Sequence, residues 1–351
     1  MIIMQIITRS ELGGAQSVLA NLSNALCKQN QIIVIAGEGD GKLWEILDKR
    51  IVRIPCPYIK RKPSIINDIR AILFLKRACH HFKPDVIHLH SSKAGLLGRM
   101  AFPSSKIVYT VHGFDSIRLR YRSFIPIERV FQNFCSAIVG VSAYDESCLK
   151  KEKICKHVSF IYNGIPSPNL KENKKIGLPQ KFQKKVLCIA RISKQKRFDL
   201  FVEVAKLLPQ YAFAWIGNIQ EIKNVPNNVF MMGNIVNAQA YCSDADVFFL
   251  PSNYEGLPMV IIEAMSHSKP IVASNVGGVS EIVKNGVNGY TTRNDSQEMA
   301  EAINLILADK EQEKLMGIRS REIYESKLTL EKMVDQYKSL YNSIADNTKT
   351  F

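Results

Sequence analysis

The sequence predicts two doubly wound α/β domains in tandem, and three observations predict them. Short apolar runs alternate with amphipathic stretches along nearly the whole chain, the pattern of parallel strands joined by crossover helices. The alternation stops once, at Asn163-Gly-Ile-Pro-Ser-Pro168, where Gly164, Pro166 and Pro168 lead into a Lys-rich stretch, and then restarts. At 351 residues the chain has room for two such domains of roughly 150 residues each.

In the first half, Met4–Thr8, Gln31–Ala36, Val86–His90, Lys106–His112, Ala137–Val141 and Val158–Tyr162 are apolar and short enough to be buried strands. Ala15–Gln29, Ile65–Phe82 and Ser123–Cys135 carry helical spacing between them. In the second half the strands are Lys185–Ala190, Ala212–Gly217, Val229–Met232, Val247–Pro251, Pro270–Ser274 and Gly289–Thr291, with helices at Arg197–Leu208 and Pro258–Ser266. The domains are expected at 1–165 and 166–328. The segment 329–351, helical over about Thr329–Ser343, has no strand after it and is expected to pack back on the N-terminal domain. Ligands of such folds collect beyond the carboxyl ends of the strands, so a cleft faced by both domains is the expected site.

Composition is that of a globular protein, with 46% hydrophobic and 23% charged residues. No apolar run approaches the ~18 residues of a membrane span, and Met1–Ile7 is too short for a signal peptide. Eight scattered cysteines without metal-like spacing point to a reduced, cytoplasmic setting. The net charge of +15 is uneven: residues 49–83 hold ten Lys or Arg against Asp68 alone. Phosphorylated ligands, an anionic membrane and nucleic acid are the candidate partners. Aromatic recognition motifs, zinc-finger spacing and a helix-turn-helix signal are missing, which disfavours nucleic acid.

Three segments carry chemistry. Gly13 and Gly14 open the first strand-to-helix turn, where free N–H groups face an anion and no Cβ stands in the way; a simple tight turn reads equally well. Arg191 and Lys196 flank the loop after the first strand of the second domain, where two cations could clamp a diphosphate; a basic loop that merely caps the helix is the alternative. Lys194 and Arg197 are expected to face solvent. In Glu255-Gly-Leu-Pro-Met-Val-Ile-Ile-Glu263, Pro258 starts a helix, leaving Glu255 in the loop and Glu263 on a helix whose apolar face (Val260, Ile261, Ala264, Met265) would not tolerate it without a partner, a ligand or, as the weaker reading, a structural salt bridge. Carboxylates accept well from paired sugar hydroxyls. Asp244-Ala-Asp246 resembles a metal signature, yet it precedes a buried strand and is read as a helix-to-strand turn. His88 and His90 alternate on one strand and are read as structural or acceptor-facing, since a metal needs more ligands.

The Glu255-to-Glu263 segment resembles the Glu-x7-Glu motif of retaining GT-B glycosyltransferases of family 4. The Gly13-Gly14 loop, Val86–Arg99, Val108–Phe114, Tyr162–Pro166, Ala190–Lys196, Pro270–Glu281 and Asn285–Gly289 match that family in order. The resemblance implies a GT-B fold of two Rossmann-like domains facing across a cleft. It further implies that Glu263 binds the ribose, and that Glu255, with the backbone of Gly256 and Leu257, holds the donor sugar. Arg191 and Lys196 would hold the diphosphate with Gly14 beside it, His112 would face the reacting sugar, and the base would rest near Ile235. The reaction itself would fall to His112, Glu255, Arg191 and Lys196, with no metal and no cofactor. Two departures stand out: Ala190 and Arg197 occupy positions where the family often has Gly.

Similar family members build bacterial O-antigen, lipopolysaccharide or capsule on a polyprenyl-diphosphate carrier. The implied function is transfer of a hexose or N-acetylhexosamine from a nucleotide sugar, UDP by family frequency, to such a lipid-linked saccharide. The basic stretches Tyr58–Lys62 and Arg118–Ile125, mixed with apolar residues, suit peripheral attachment to the anionic inner face of the cell membrane. The alternatives are a soluble acceptor and a non-catalytic basic protein that binds nucleotides or nucleic acid.

Overall fold

The computed structural model describes residues 1–349 apart from 180, 183, 220, 221 and 223, so residues 350 and 351 of the expected C-terminal segment lie outside the described residues. The chain divides into two compact units, 1–164 with 330–351 and 165–329.

The first unit is built on a seven-stranded sheet. Its strands are β1 Ile2–Ile7, β2 Gln31–Ala36, β3 Val52–Pro55, β4 Val86–His90, β5 Ile107–Val111, β6 Ala137–Gly140 and β7 Val158–Phe160. The order is β3-β2-β1-β4-β5-β6-β7, and every pairing is parallel. β1, β4 and β5 are buried along almost their whole length, which is why they read as continuous apolar runs. β3 escapes the sequence reading because it lies at the sheet edge and alternates half-buried Val52 and Ile54 with exposed Arg53 and Pro55. The expected helix Ser123–Cys135 is broken into an α-helical turn at Ile125–Phe131 between two 3-10 turns. Pro126 has no N–H to donate and is tolerated only in a first turn, so the helix begins beside it.

The second unit has β8 Lys185–Ile189, β9 Ala212–Ile216, β10 Val229–Met231, β11 Val247–Leu250, β12 Ile271–Ser274 and β13 Gly289–Thr292. The order is β10-β9-β8-β11-β12-β13, again all parallel. Each sheet therefore reverses its winding once, at β1/β4 in the first unit and at β8/β11 in the second. Such a reversal opens a crevice at the carboxyl ends of the strands.

The C-terminal helix Leu330–Lys349 belongs to the first unit. Met333, Val334, Tyr337, Tyr341, Ile344 and Ala345 form one buried stripe on it. That stripe packs against the helix Gly14–Leu26 and β4. Ile165 and Thr329, where the chain enters and leaves the second unit, are joined by a parallel bridge.

Candidate functional site

In the second unit the candidate residues gather on the loops that follow β8 and β11, the two strands flanking the reversal. Lys196 Nζ, in the first loop, forms an ion pair with Glu255 Oε1 in the second. Glu255 is only 7% exposed, and a carboxylate that deep needs a charged partner. Backbone contacts set the spacing of the loops: Asn253 N donates to the Gln195 carbonyl at 2.8 Å, and Gln195 Nε2 donates to the Tyr254 carbonyl at 2.9 Å. Gln195 and Asn253 carried no signal in the sequence, because their work is done across 59 residues.

A third loop, after β12, clamps the second. Gly278 N donates to the Gly256 carbonyl at 2.8 Å. Gly277 is left-handed (φ +58°), and a Cβ there would stand 2.0 Å from the Glu255 carbonyl oxygen. Glycine is required at this position by both conformation and space. Leu257 is buried below the loop, while Gly256 is half-buried.

Glu263 lies on the helix Met259–Ser266, whose buried face is Met259, Ile261, Ile262, Ala264 and Met265. The side chain is half-buried, and no hydrogen bond or ion pair to its carboxylate occurs among the described residues. Burial away from water pushes its carboxyl up to about 7. Such a carboxylate can accept from a ligand hydroxyl without first giving up a protein partner.

Arg191 is exposed at the start of the β8 loop, and Lys194 is exposed beside it. Arg197 departs from expectation. It is half-buried rather than solvent-facing, folded onto Asp199 with its Nε 2.9 Å from Oδ2. Its backbone is left-handed (φ +44°, ψ +54°) as it precedes the helix Phe198–Leu207. That conformation explains why glycine suits this position in the resembling family. Ile235 is half-exposed just beyond β10. Asp244 and Asp246 are consumed by structure: Asp244 Oδ2 accepts from Ile176 N (2.7 Å) and Lys185 Nζ (2.8 Å), and Asp246 Oδ2 accepts from Lys185 N (2.6 Å).

Gly13, Gly14 and His112 belong to the first unit. Gly14 is the first residue of the helix Gly14–Leu26, and Gly13 precedes it in an extended conformation with no side-chain cap. A Cβ on Gly13 would touch only the flexible end of Gln16, so the unit's own packing does not demand glycine there. His112 follows β5, and its turn is held by a residue that sequence reasoning missed. Asp145 Oδ1 accepts from Phe114 N at 2.8 Å, and burial pushes the Asp145 carboxyl up to about 7. His112 itself is half-buried, and burial pulls its pKa down to about 4. Its Nε2 lies 2.9 Å from His90 Nδ1.

Residues 12–167 match the family described as Glycosyltransferase Family 4, and residues 170–323 the one described as Glycosyl transferases group 1. The chain belongs to the family 4 glycosyltransferases. The glycosyltransferase is 28% identical, over 96% of its own length and 95% of the relative's, to the UDP-Gal:alpha-D-GlcNAc-diphosphoundecaprenol alpha-1,3-galactosyltransferase of Escherichia coli. It is 26% identical to an O-antigen biosynthesis glycosyltransferase of the same organism, covering 95% and 97% of the two chains. Among solved structures, Anabaena Alr3699/HepE in complex with UDP and glucose matches with a TM-score of 0.81 at 19% identity, covering 97% and 99% of the two chains. That likeness is one of fold. The glycosyltransferase has the two parallel-stranded, Rossmann-like units of the GT-B class, as its sequence predicts.

Proposed function

We propose that this glycosyltransferase is retaining, and that it moves a hexose or N-acetylhexosamine from a UDP sugar to a saccharide carried on polyprenyl diphosphate. The product would enter a bacterial surface polysaccharide such as O-antigen, lipopolysaccharide or capsule. The observation that carries the donor half is the rim at β8/β11, where Glu263 is half-buried without a partner among the described residues and Lys196 is paired with Glu255. In this reading Glu263 accepts from the ribose hydroxyls and Ile235 backs the base. Arg191 and Lys196 neutralise the diphosphate, and Glu255, with the backbone of Gly256 and Leu257, holds the sugar hydroxyls. Lys196 and Glu255 hold each other until the diphosphate and sugar arrive and replace each as the other's partner.

The bond from the sugar's anomeric carbon to the diphosphate oxygen breaks while the acceptor hydroxyl oxygen bonds to that carbon on the same face. The hydroxyl proton passes to the departing phosphate. Two cations stabilise the charge that develops there, so the reading requires no metal. Gly13 and Gly14 serve the phosphates and His112 the sugar's reacting face.

The acceptor half is supported by the lipid-linked acceptor named for the E. coli relative and by the surface of the first unit. The helix Ile65–Phe82 buries only Ala71 and Leu75, and it exposes Ile65 (81%), Ile66, Ile69 and Leu73 beside Lys60, Arg61, Lys62 and Arg70. An apolar stripe flanked by cations fits the headgroup layer of an anionic inner leaflet. No helix among the described residues is long and apolar enough to cross a membrane.

The test is a screen of UDP and GDP sugars against polyprenyl-diphosphate saccharides and soluble sugars, with and without EDTA. We expect transfer from a UDP sugar to the lipid-linked acceptor, unaffected by EDTA, with the anomeric configuration kept. Glu255→Ala should lower kcat/KM at least about a hundredfold. Transfer only to soluble acceptors would move the reading to that class, and full turnover in Glu255→Ala would remove the sugar-holding role.

A further inference from the structure

One face of the first sheet carries a polar chain that the donor reading leaves unused. Gln5 on β1, His88 and His90 on β4 and Thr110 on β5 lie in adjacent registers, Gln5 opposite His88 and His90 opposite Thr110. All four are fully buried. The C-terminal helix covers them and adds the hydroxyls of Tyr337 and Tyr341. The contacts run in one line. His112 Nε2 lies 2.9 Å from His90 Nδ1, and His90 Nε2 lies 2.7 Å from Gln5 Oε1. Gln5 Nε2 is 3.5 Å from Tyr341 Oη, which is 2.5 Å from His88 Nδ1; His88 Nε2 is 2.6 Å from Thr110 Oγ1.

Heavy-atom geometry sets the direction of this chain. Tyr341 has a single proton, and the 2.5 Å contact to the imidazole nitrogen of His88 takes it, because a phenol is a strong donor and a poor acceptor. The end of Gln5 that faces Tyr341 must then be its NH2, which leaves the Gln5 carbonyl for His90. His90 donates from Nε2, accepts at Nδ1, and so takes the Nε2 proton of His112. Burial keeps His88 and His90 well below the usual histidine range and His112 at about 4. Each ring is therefore neutral near pH 7 and has one proton to place.

We infer that Gln5, His90 and Tyr341 are positioning residues that lock His112 in the Nε2–H tautomer, so that its Nδ1 meets a hydroxyl of the donor sugar as a bare acceptor. The sugar-facing part rests on the proposed donor site; the tautomer does not. The C-terminal helix thereby acts on the chemistry through the Tyr341 proton, in addition to closing the core of its unit.

Nitrogen NMR of the full chain labelled with 15N-histidine tests this, with the His112 signals assigned by their loss in His112→Asn. The expected wild-type result is a protonated Nε2 and an unprotonated Nδ1 on His112. In Tyr341→Phe the Gln5 amide is released and both His112 tautomers should appear. In that variant kcat should fall roughly tenfold with little change in KM for the nucleotide sugar. Gln5→Leu should mix the tautomers in the same way and stands in if Tyr341→Phe folds poorly. A proton on Nδ1 in the wild type overturns the inference, as does an unmixed tautomer in both variants. Full turnover in His112→Ala would overturn the sugar-facing part together with the placement of His112 at the donor, with the NMR result still deciding the tautomer.

Discussion

At Glu263 the cost of burying one carboxylate makes the proposed ribose contact testable by pH. An unfolded glutamate gives up its proton near 4.5, whereas the folded chain keeps this one until about 7. Between those values the folded state holds more protons, so this group makes stability fall as pH rises, and its full cost is present above 7. Glu263→Gln should therefore raise the Tm of the second unit by about 2–4 °C at pH 8, the shift expected for roughly 1 kcal/mol in a unit spanning 165–329, with little change at pH 5. The carboxylate accepts hydroxyl protons best when ionised. Affinity for a nucleotide sugar should thus rise through pH 7 in the wild type and stay flat in Glu263→Gln, as titration calorimetry at several pH values would show. A flat wild-type profile would separate Glu263 from the ligand. The sequence exposed this residue because a carboxylate on an apolar helix needs a reason. It could not expose the Lys196–Glu255 pair, since contact across 59 residues has no local trace.

The elements that carry the site are loops at strand ends, and their glycines set how closely they pack. Gly277→Ala places a methyl against the Glu255 carbonyl in a left-handed backbone. It should destabilise the chain by about 2 kcal/mol or more and lower turnover by displacing Glu255. Gly286 is also left-handed (φ +76°) but has open space around it. Gly286→Ala should therefore show only the conformational penalty of roughly 1 kcal/mol and keep its activity. Equal denaturant midpoints for the two variants would refute the clash. At Arg197, Ala and Gly both lose the contact with Asp199, and only Gly relieves the left-handed strain. Arg197→Gly should be about 1 kcal/mol more stable than Arg197→Ala in urea unfolding. The strands themselves were readable to within a residue or two, because parallel strands buried on both faces are uninterrupted apolar runs. β3 was not, since an edge strand need not be apolar.

Across the whole molecule, the +15 charge divides into two kinds. Some of it is structural: Lys184 pairs with Glu313 and Asp246, Lys185 pairs with Asp244, and Arg118 is tied to Asp115 and Tyr144. The rest is surface charge, concentrated where Lys60, Arg61 and Lys62 adjoin the exposed Ile65, Ile66 and Ile69. Changing Lys60, Arg61, Lys62 and Arg120 to Ser, and leaving Arg118 in place, should weaken sedimentation with phosphatidylglycerol liposomes at least about tenfold, as about 1 kcal/mol per lost cation implies. Binding to neutral liposomes should not change. Undiminished partitioning of the variant to anionic vesicles would reduce these cations to a solubilising role.

Local chemistry was enough for the sequence to determine the two α/β units, the break between them, the strand ends that bear Arg191, Lys196 and Glu255, and the apolar helix that strands Glu263. Hydrophobic periodicity and the conformations of Gly and Pro act over a few residues, and a sequence displays them directly. Only the tertiary structure decided which of these groups touch. It paired Lys196 with Glu255, folded Arg197 onto Asp199, spent Asp244 and Asp246 on the backbone, and threaded Gln5, His90 and His112 into one line beneath a helix more than 200 residues downstream. Hydrogen bonds and ion pairs depend on distance in space, and burial away from water, which sets the Glu263 and His112 protons, is created by packing that no short stretch of chain contains.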